Sequence, residues 1–302
     1  MQYRNLGRTG IKVSVVGLGG HEFHPDSRVA GFGDNKDLAV TPGHIFPGFG
    51  GENRLRIVET ALEAGVNLFD LTIDSEKEAM GRILREVDVK DEILIQTRPE
   101  GMVYTYDPHN RKMADYSLLR AEAIRALKLI QREVIDIYNF AFMADALKHD
   151  PDYLDKIADN IQKLKDEGLI RFASADTFSG PEIYAKQYDK GCFDTTFINC
   201  NPIEKAKFGD TIVKAEKQAL GILGRVLFQK AKVFVIAEEK GYANRARVAR
   251  ALIKWAVKDS GVHTILLGVS FPEQLTENLT ALKDLNYDED ESRIIEALSE
   301  GS

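Results

Sequence analysis

Gly65-Val66-Asn67-Leu68-Phe69-Asp70 is the stretch from which the fold follows. A short apolar run ends on an acidic residue, directly after a segment, 52–64, whose apolar residues recur at i, i+3, i+4 and i+7, as in a helix laid over a sheet. The same alternation runs through the chain. Short apolar runs, often β-branched and bounded by polar residues or glycine, fall at 13–18, 67–70, 92–97, 135–140, 170–175, 195–200, 221–227 and 264–267. Helical patterns lie between them, at 117–131, 152–167 and 245–258 among others. Eight strand-then-helix units predict the α/β class and a single (β/α)8 TIM barrel, with residues 1–302 as one domain. Loops after the strands build the active face of such a barrel, so Asp70, at a strand's C-terminal end, is a candidate functional residue.

Composition narrows the partners. A hydrophobic fraction of 44% and a charged fraction of 29% fit a globular chain. A net charge of −7 without a dense Lys/Arg run argues against nucleic acid or an anionic membrane and points to a small-molecule substrate. The short basic runs Arg111-Lys112, Lys205-Ala206-Lys207 and Arg245-Ala246-Arg247 read as solvated faces. The two cysteines, Cys192 and Cys200, have neither metal nor redox spacing. Met1-Gln2-Tyr3-Arg4 lacks the apolar stretch of a signal peptide, and no run approaches the roughly 18 apolar residues that span a bilayer. A cytoplasmic protein is the expectation.

Two irregular insertions, at 23–51 after the first strand and at about 100–115 after the third, are expected to shape the pocket. The acidic run Asp288-Glu289-Asp290-Glu291 reads as a solvated terminal face.

Specific motifs carry a resemblance. Tyr3-Arg4-Asn5-Leu6-Gly7-Arg8-Thr9-Gly10-Ile11-Lys12-Val13-Ser14, followed by Val16-Gly17-Leu18-Gly19-Gly20, resembles the opening of many aldo-keto reductases. Further landmarks follow in order: the stretch 65–70, Gly81-Arg82-Ile83-Leu84, Asp136-Ile137-Tyr138, Glu167-Gly168-Leu169-Ile170-Arg171, Asn201-Pro202, and 268–279. The resemblance implies a barrel that binds NADP(H) and acts on a small carbonyl or hydroxyl compound. It also implies a catalytic aspartate at Asp70, and a divergent member of the family. Where the family has its tyrosine, this chain reads Leu71-Thr72-Ile73-Asp74-Ser75, with the spacing to Gly81 shortened by about two residues. Its lysine matches Arg98, and its histidine falls near Ala141.

Arginine cannot simply stand in for that lysine, because a guanidinium stays charged and directs its hydrogen bonds as a planar fork. Arg98 either pairs with Asp70 or holds a carboxylate or phosphate of a ligand. By the same resemblance, Gly268, Ser270, Gln274, Glu277 and Asn278 are the residues that grip the adenosine 2′-phosphate, at a helix N-terminus suited to a phosphate. The residues that usually hold the nicotinamide carboxamide match Asp176, Thr177 and Phe197, and its stacking aromatic falls near Arg225.

His21, at the first strand's end, is the first choice for a general acid or base, since histidine titrates near neutrality. His24 with His21 and Glu22 is a weak metal pattern, and no metal is expected. Asn139 and Asn199 add polar groups at the mouth, and Tyr104 and Tyr106 are possible replacement proton donors from the third loop. Three functional classes follow: hydride transfer with a non-standard proton donor, a redox-neutral lyase or isomerase using His21, Asp70 and Arg98, and a non-catalytic nucleotide sensor.

Overall fold

The computed structural model describes residues 1–24, 26, 28–89, 92–100 and 107–300. Eight parallel strands close into one barrel: β1 (Val16–Gly19), β2 (Leu68–Leu71), β3 (Leu94–Thr97), β4 (Ile135–Ala141), β5 (Ile170–Asp176), β6 (Thr195–Asn199), β7 (Gly221–Arg225) and β8 (Thr264–Leu267). Each strand pairs with the next in the chain, and β8 returns to β1 through Ile265 opposite Val16. Helices follow the strands: α1 (Glu52–Glu63), α2 (Asp74–Glu86), α3 (Tyr116–Ile130), α4 (Tyr153–Asp166), α5 (Pro181–Lys190), α6 (Lys205–Lys217), α7 (Arg245–Lys258) and α8 (Pro272–Leu279), with α9 (Glu289–Ser299) closing the chain. The expected (β/α)8 barrel is the fold observed.

Side chains alternate across each strand, which explains why these segments form the barrel wall. Phe69, Leu71, Ile95, Tyr138, Phe140, Ala173 and Ile265 face the helices in one large core. The alternate positions line the lumen, and their character changes along the axis. Leu68, Leu94, Ile137, Phe197, Leu223 and Leu266 pack together in its lower part. Two residues further along β2, β3, β4, β5 and β7, the inward positions become Asp70, Gln96, Asn139, Ser174 with Asp176, and Arg225. The lumen is apolar below and polar above.

The expected first strand divides in two. Lys12–Ser14 pairs antiparallel with Tyr3–Asn5 in a hairpin, and only Val16–Gly19 enters the barrel. The break sits where the Ser14 hydroxyl donates to the Val16 carbonyl at 2.7 Å, and Ser14 N–H donates to Asn67 Oδ1 at 2.8 Å. Leu6, Ile11 and Val13 of the hairpin join the lower lumen cluster and close that end.

The acidic run 288–291 is only partly a solvated face. Asp288 and Glu291 form a capping box at the start of α9, and Glu291 is buried against Lys254 at 2.9 Å. Among the described residues no helix is long and apolar enough to cross a membrane.

Candidate active site

The site forms where the polar end of the lumen meets the loops after the strands. Gly19 of β1 stands opposite Asp70 of β2. The next residue, Gly20, lies so close to α2 that a Cβ there would fall 2.5 Å from Glu76 Oε2 and 2.7 Å from the Asp70 carbonyl oxygen. Glycine is required at that approach, and it delivers His21 to the rim. His21 Nδ1 meets Glu76 Oε1 at 2.7 Å, which leaves Nε2 for another partner. Glu76, at the start of α2, is buried and also accepts the Thr72 N–H at 2.6 Å.

Insertion 23–51 covers this corner. Phe32 packs edge-on to His21 at 5.8 Å, and Phe46 and Phe49 cluster with Ile73 and Ala79. Gly50 N–H donates to Glu22 Oε1 at 2.7 Å, and Arg82 holds the Phe49 carbonyl at 2.8 Å. His24 pairs separately, with Asp34 at 2.9 Å.

Charge sets the protonation of the dyad. Burial alone would lower the imidazole pKa of His21, but the charge and hydrogen bond of Glu76 outweigh it and raise the pKa, with Asp70 adding to the rise and Arg98 opposing it. Burial pushes Glu76 up, and His21, the Thr72 amide and Arg54 pull it further down, so its carboxyl is lowered. Asp70 is raised: burial dominates over the Arg98 charge and the Gln96 amide, which donates to Asp70 Oδ1 at 2.8 Å.

Four charged side chains then alternate in sign across the mouth. Arg98 Nη2 lies 3.9 Å from Asp70 Oδ1, and its Nη1 lies 3.6 Å from Asp176 Oδ2. Arg225 instead grips Asp176 through both nitrogens, at 2.8 and 2.7 Å, and donates Nε–H to Asn199 at 3.0 Å. Its guanidinium sits 4.5 Å from the Phe178 ring and 4.8 Å from the Phe197 ring. The two arginines differ in kind. Arg225 is saturated; among the described residues Arg98 makes ion contacts longer than hydrogen bonds and lies 5.6 Å from the Phe197 ring, and its buried Nε has no partner. Both amide atoms of Asn139 and the Ser174 hydroxyl are likewise buried without partners, next to one another across β4 and β5. Buried polar atoms of this kind are satisfied by water or by a ligand.

The strand end bearing Arg98 is fixed from outside the barrel. Lys77 of α2 is buried 2.8 Å from Asp74 and 3.5 Å from Glu100, and Arg125 of α3 bridges Asp74 and Glu122. Glu122 in turn accepts the Glu100 N–H at 2.9 Å. Burial opposes ionisation of Asp74, but Lys77 and Arg125 overcome it and lower its pKa to about 2.

At the far side of the mouth, Gly268 and Ser270 lead into α8. Ser270 N–H donates to Gln274 Oε1 at 2.8 Å, and Asn53 of α1 holds the Ser270 carbonyl at 2.8 Å. Gln274 and Glu277 are exposed and Asn278 half-buried. Segment 268–279 carries no lysine or arginine; Arg56 of α1, 3.6 Å from Glu273, brings a cation to the start of α8. This end offers a fixed turn, a helix start and one basic side chain, itself paired with Glu273. At the other end Asp176 and Arg225 are brought together, but onto each other, and Thr177 spends its hydroxyl on the Phe142 carbonyl at 2.7 Å.

Sequence reading passed over Glu76 and Gln96, the direct partners of His21 and Asp70. Gln96 follows from β-strand alternation, two residues before Arg98 on the same inward row. Glu76 carries no such signal, since an acidic residue in the first turn of an amphipathic helix reads as solvated. Tyr104 and Tyr106 lie outside the described residues.

Residues 48–187 match the aldo/keto reductase family. The match covers a little under half of the chain, including β2 to β5 and the charged residues from Asp70 to Asp176. Along nearly its full length the chain is similar to the L-galactose dehydrogenase of Arabidopsis thaliana, 23% identical over 99% of this chain and 95% of that protein. Among solved structures it is similar to the aldo-keto reductase AKR11C1 from Bacillus halodurans in its holo form (TM-score 0.70, 15% identity, covering 100% of this chain and 97% of that one). It is also similar to the glycerol dehydrogenase AKR11B4 from Gluconobacter oxydans (TM-score 0.67, 18% identity, 98% and 94% covered). These two show the shared barrel. The likeness to the aldo/keto reductase family thus rests on residues 48–187 and on this full-length similarity to a dehydrogenase.

Proposed function

We propose that the chain is a divergent aldo-keto reductase that interconverts a small polar carbonyl compound and its alcohol, with His21 in the place of the family's tyrosine as proton donor. The observation that carries this reading is the under-used guanidinium of Arg98, whose ion contacts among the described residues are 3.6 and 3.9 Å long, together with an imidazole whose Nδ1 is held by Glu76. In the reducing direction, Arg98 orients the substrate oxygen and stabilises the negative charge that develops there, and His21 Nε2–H gives that oxygen its proton. Glu76 holds the ring in place and raises its pKa, favouring the protonated form. Asp70 balances the Arg98 charge. An α-keto or α-hydroxy acid fits best, its carboxylate matching the guanidinium fork.

NADP(H) is the cofactor we infer, and bound nicotinamide supplies or accepts the hydride. Ser270, Gln274 and Asn278 would hold its adenosine end, with Gly268 allowing close approach. Glu273 and Glu277 bring negative charge to the same helix, so the grip on a 2′-phosphate depends on Arg56.

A second reading, a redox-neutral lyase or isomerase, is favoured by one observation: Asp176 and Arg225 neutralise each other where the resemblance implies nicotinamide contacts. One experiment separates the two. NADPH and NADH are titrated by fluorescence, and consumption of NADPH is then followed with a panel of α-keto acids. Tighter NADPH binding, weakened by Arg56→Ala, and turnover lost in His21→Ala support the reductase. Equal or undetectable binding of both nucleotides, with acid–base turnover of the same compounds, transfers the site to the second reading.

A further inference from the structure

Away from the dyad and the ion chain, one cluster on the active face has no part in the chemistry above. His109, in the loop after β3, and Asp145 and His149, on the short helix Ala144–His149 after β4, bring one ligand atom each within 4.8 Å of one another. His109 Nδ1 lies 2.8 Å and His149 Nδ1 3.4 Å from the same oxygen, Asp145 Oδ2. The two imidazoles stack with centroids 3.5 Å apart and planes 25° apart, and His149 Nδ1 also meets the Asp145 backbone carbonyl at 3.1 Å.

We propose that His109, Asp145 and His149 form a binding site for a divalent transition-metal ion, of which Zn2+ is the probe, tying the loop after β3 to the loop after β4. Bond lengths decide the fit. Tetrahedral ligands about 2.0–2.1 Å from a metal stand about 3.3 Å from each other; the 3.4 Å separation matches this, and the 2.8 Å hydrogen bond would open by about 0.5 Å as its proton gives way to the metal. Two imidazoles and one carboxylate are the donor types that zinc and its first-row neighbours take, and the three positions leave room for water or a ligand in the fourth.

The frame is already fixed. Asp145 and His149, four residues apart, share one face of their helix. Asn110, next to His109, is buried: its Oδ1 accepts the Met143 N–H at 2.9 Å, and its carbonyl accepts the Tyr153 hydroxyl at 2.8 Å. The loop position that carries His109 is therefore held to the strand end that carries the other two ligands. A metal would add a further tie between them, with the two imidazoles rotating out of their stack to aim Nδ1 at the ion.

The test uses the full chain without a histidine tag. Zn2+ binding is measured by calorimetry and Co2+ binding by absorption. One ion per chain is expected, with Co2+ bands of nitrogen and oxygen ligation and no thiolate charge-transfer band. His109→Ala, Asp145→Asn and His149→Ala should each weaken binding by about tenfold or more, a loss that even outer-shell partners of a metal can produce. All three side chains are at least one-third exposed, so the variants should keep the wild-type circular dichroism. Absence of stoichiometric binding, a thiolate band from Cys192 or Cys200, or affinity unchanged in the three variants overturns the proposal.

Discussion

Replacing Arg225 with methionine removes a cation while leaving a side chain of similar length. Asp176 is fully buried and accepts a charge-assisted hydrogen bond from Arg225 Nη1 at 2.8 Å, with Nη2 in ion contact 2.7 Å from its other oxygen. Breaking such a buried pair from one side costs about 3–5 kcal/mol, chiefly because the remaining charge is uncompensated. Arg98 Nη1, 3.6 Å from the same carboxylate, stays in place and brings the electrostatic loss toward the lower figure. Lost contacts with the Phe178 and Phe197 rings return about 0.5–1 kcal/mol each. The net expectation is about 3–5 kcal/mol. Unfolding entropy of about 2.1 cal/mol/K per residue over 302 residues makes this a fall in Tm of about 5–8 °C. Differential scanning calorimetry and urea unfolding give the number, and the double variant Arg225→Met/Asp176→Asn supplies the control. Because the double variant leaves no lone buried charge, it should be more stable than Arg225→Met alone by at least about 1 kcal/mol, within the usual coupling of contacting residues. A single variant within about 1 kcal/mol of wild type, or a double variant no better than the single, would refute the structural account of the pair and free Arg225 for a ligand.

The remaining expectations concern the chemistry. His21→Ala should lower kcat by about 10²–10⁴-fold with nucleotide affinity unchanged in the fluorescence titration, the range set by loss of one general acid; a comparable loss of affinity would mean that the ring binds rather than donates. In Glu76→Gln the alkaline limb of the pH–rate profile should move to lower pH, since Glu76 raises the His21 pKa and the acid acts only while protonated. A limb that stays put removes His21 from the proton transfer. The same rise means that the pair stabilises the fold at pH values below the unfolded histidine pKa, and that this contribution is lost as pH rises through the folded value. For Arg98→Lys we expect a loss of kcat/KM toward α-keto acids rather than a gain, because one ammonium cannot reproduce the fork; turnover at or above wild type contradicts the assignment. Simple aldehydes without an anionic group should be reduced at least about 10²-fold more slowly than by a reductase with the family's tyrosine.

Much of this architecture could be read from spacing alone. Period-two alternation from Leu68 to Asp70, from Leu94 to Gln96 and from Leu223 to Arg225 fixes both the wall and the row that faces inward. Strand-end placement was enough to bring Asp70, Arg98, Asp176 and Arg225 to one mouth. Which aspartate each arginine would take was not legible, because it depends on side-chain reach across the lumen. Arg98 stands between two carboxylates, and Arg225 claims one of them outright. Glu76 was hidden for a different reason: insertion 23–51 folds over the start of α2 and turns a nominally solvated position into a buried one. The break between Ser14 and Val16 rests on a serine hydroxyl and an asparagine more than fifty residues away, which no local pattern reports. His109 is separated from Asp145 and His149 by an entire helix and strand, so only the tertiary fold makes them neighbours.

The hairpin under the barrel has a consequence for how the molecule comes together. Leu6, Ile11 and Val13 precede every barrel strand in the chain, yet the surface they cover is assembled from Leu68, Leu94, Ile137, Leu223 and Leu266, the last of these on the final strand. That surface exists only after the ring has closed, so the hairpin acts as a latch that can engage only a finished barrel. Contacts spanning so much of the chain are entropically slow to form. A chain stalled before β8 would leave both the hairpin and the floor of the lumen exposed as apolar surfaces, and closing the ring is what withdraws them from aggregation.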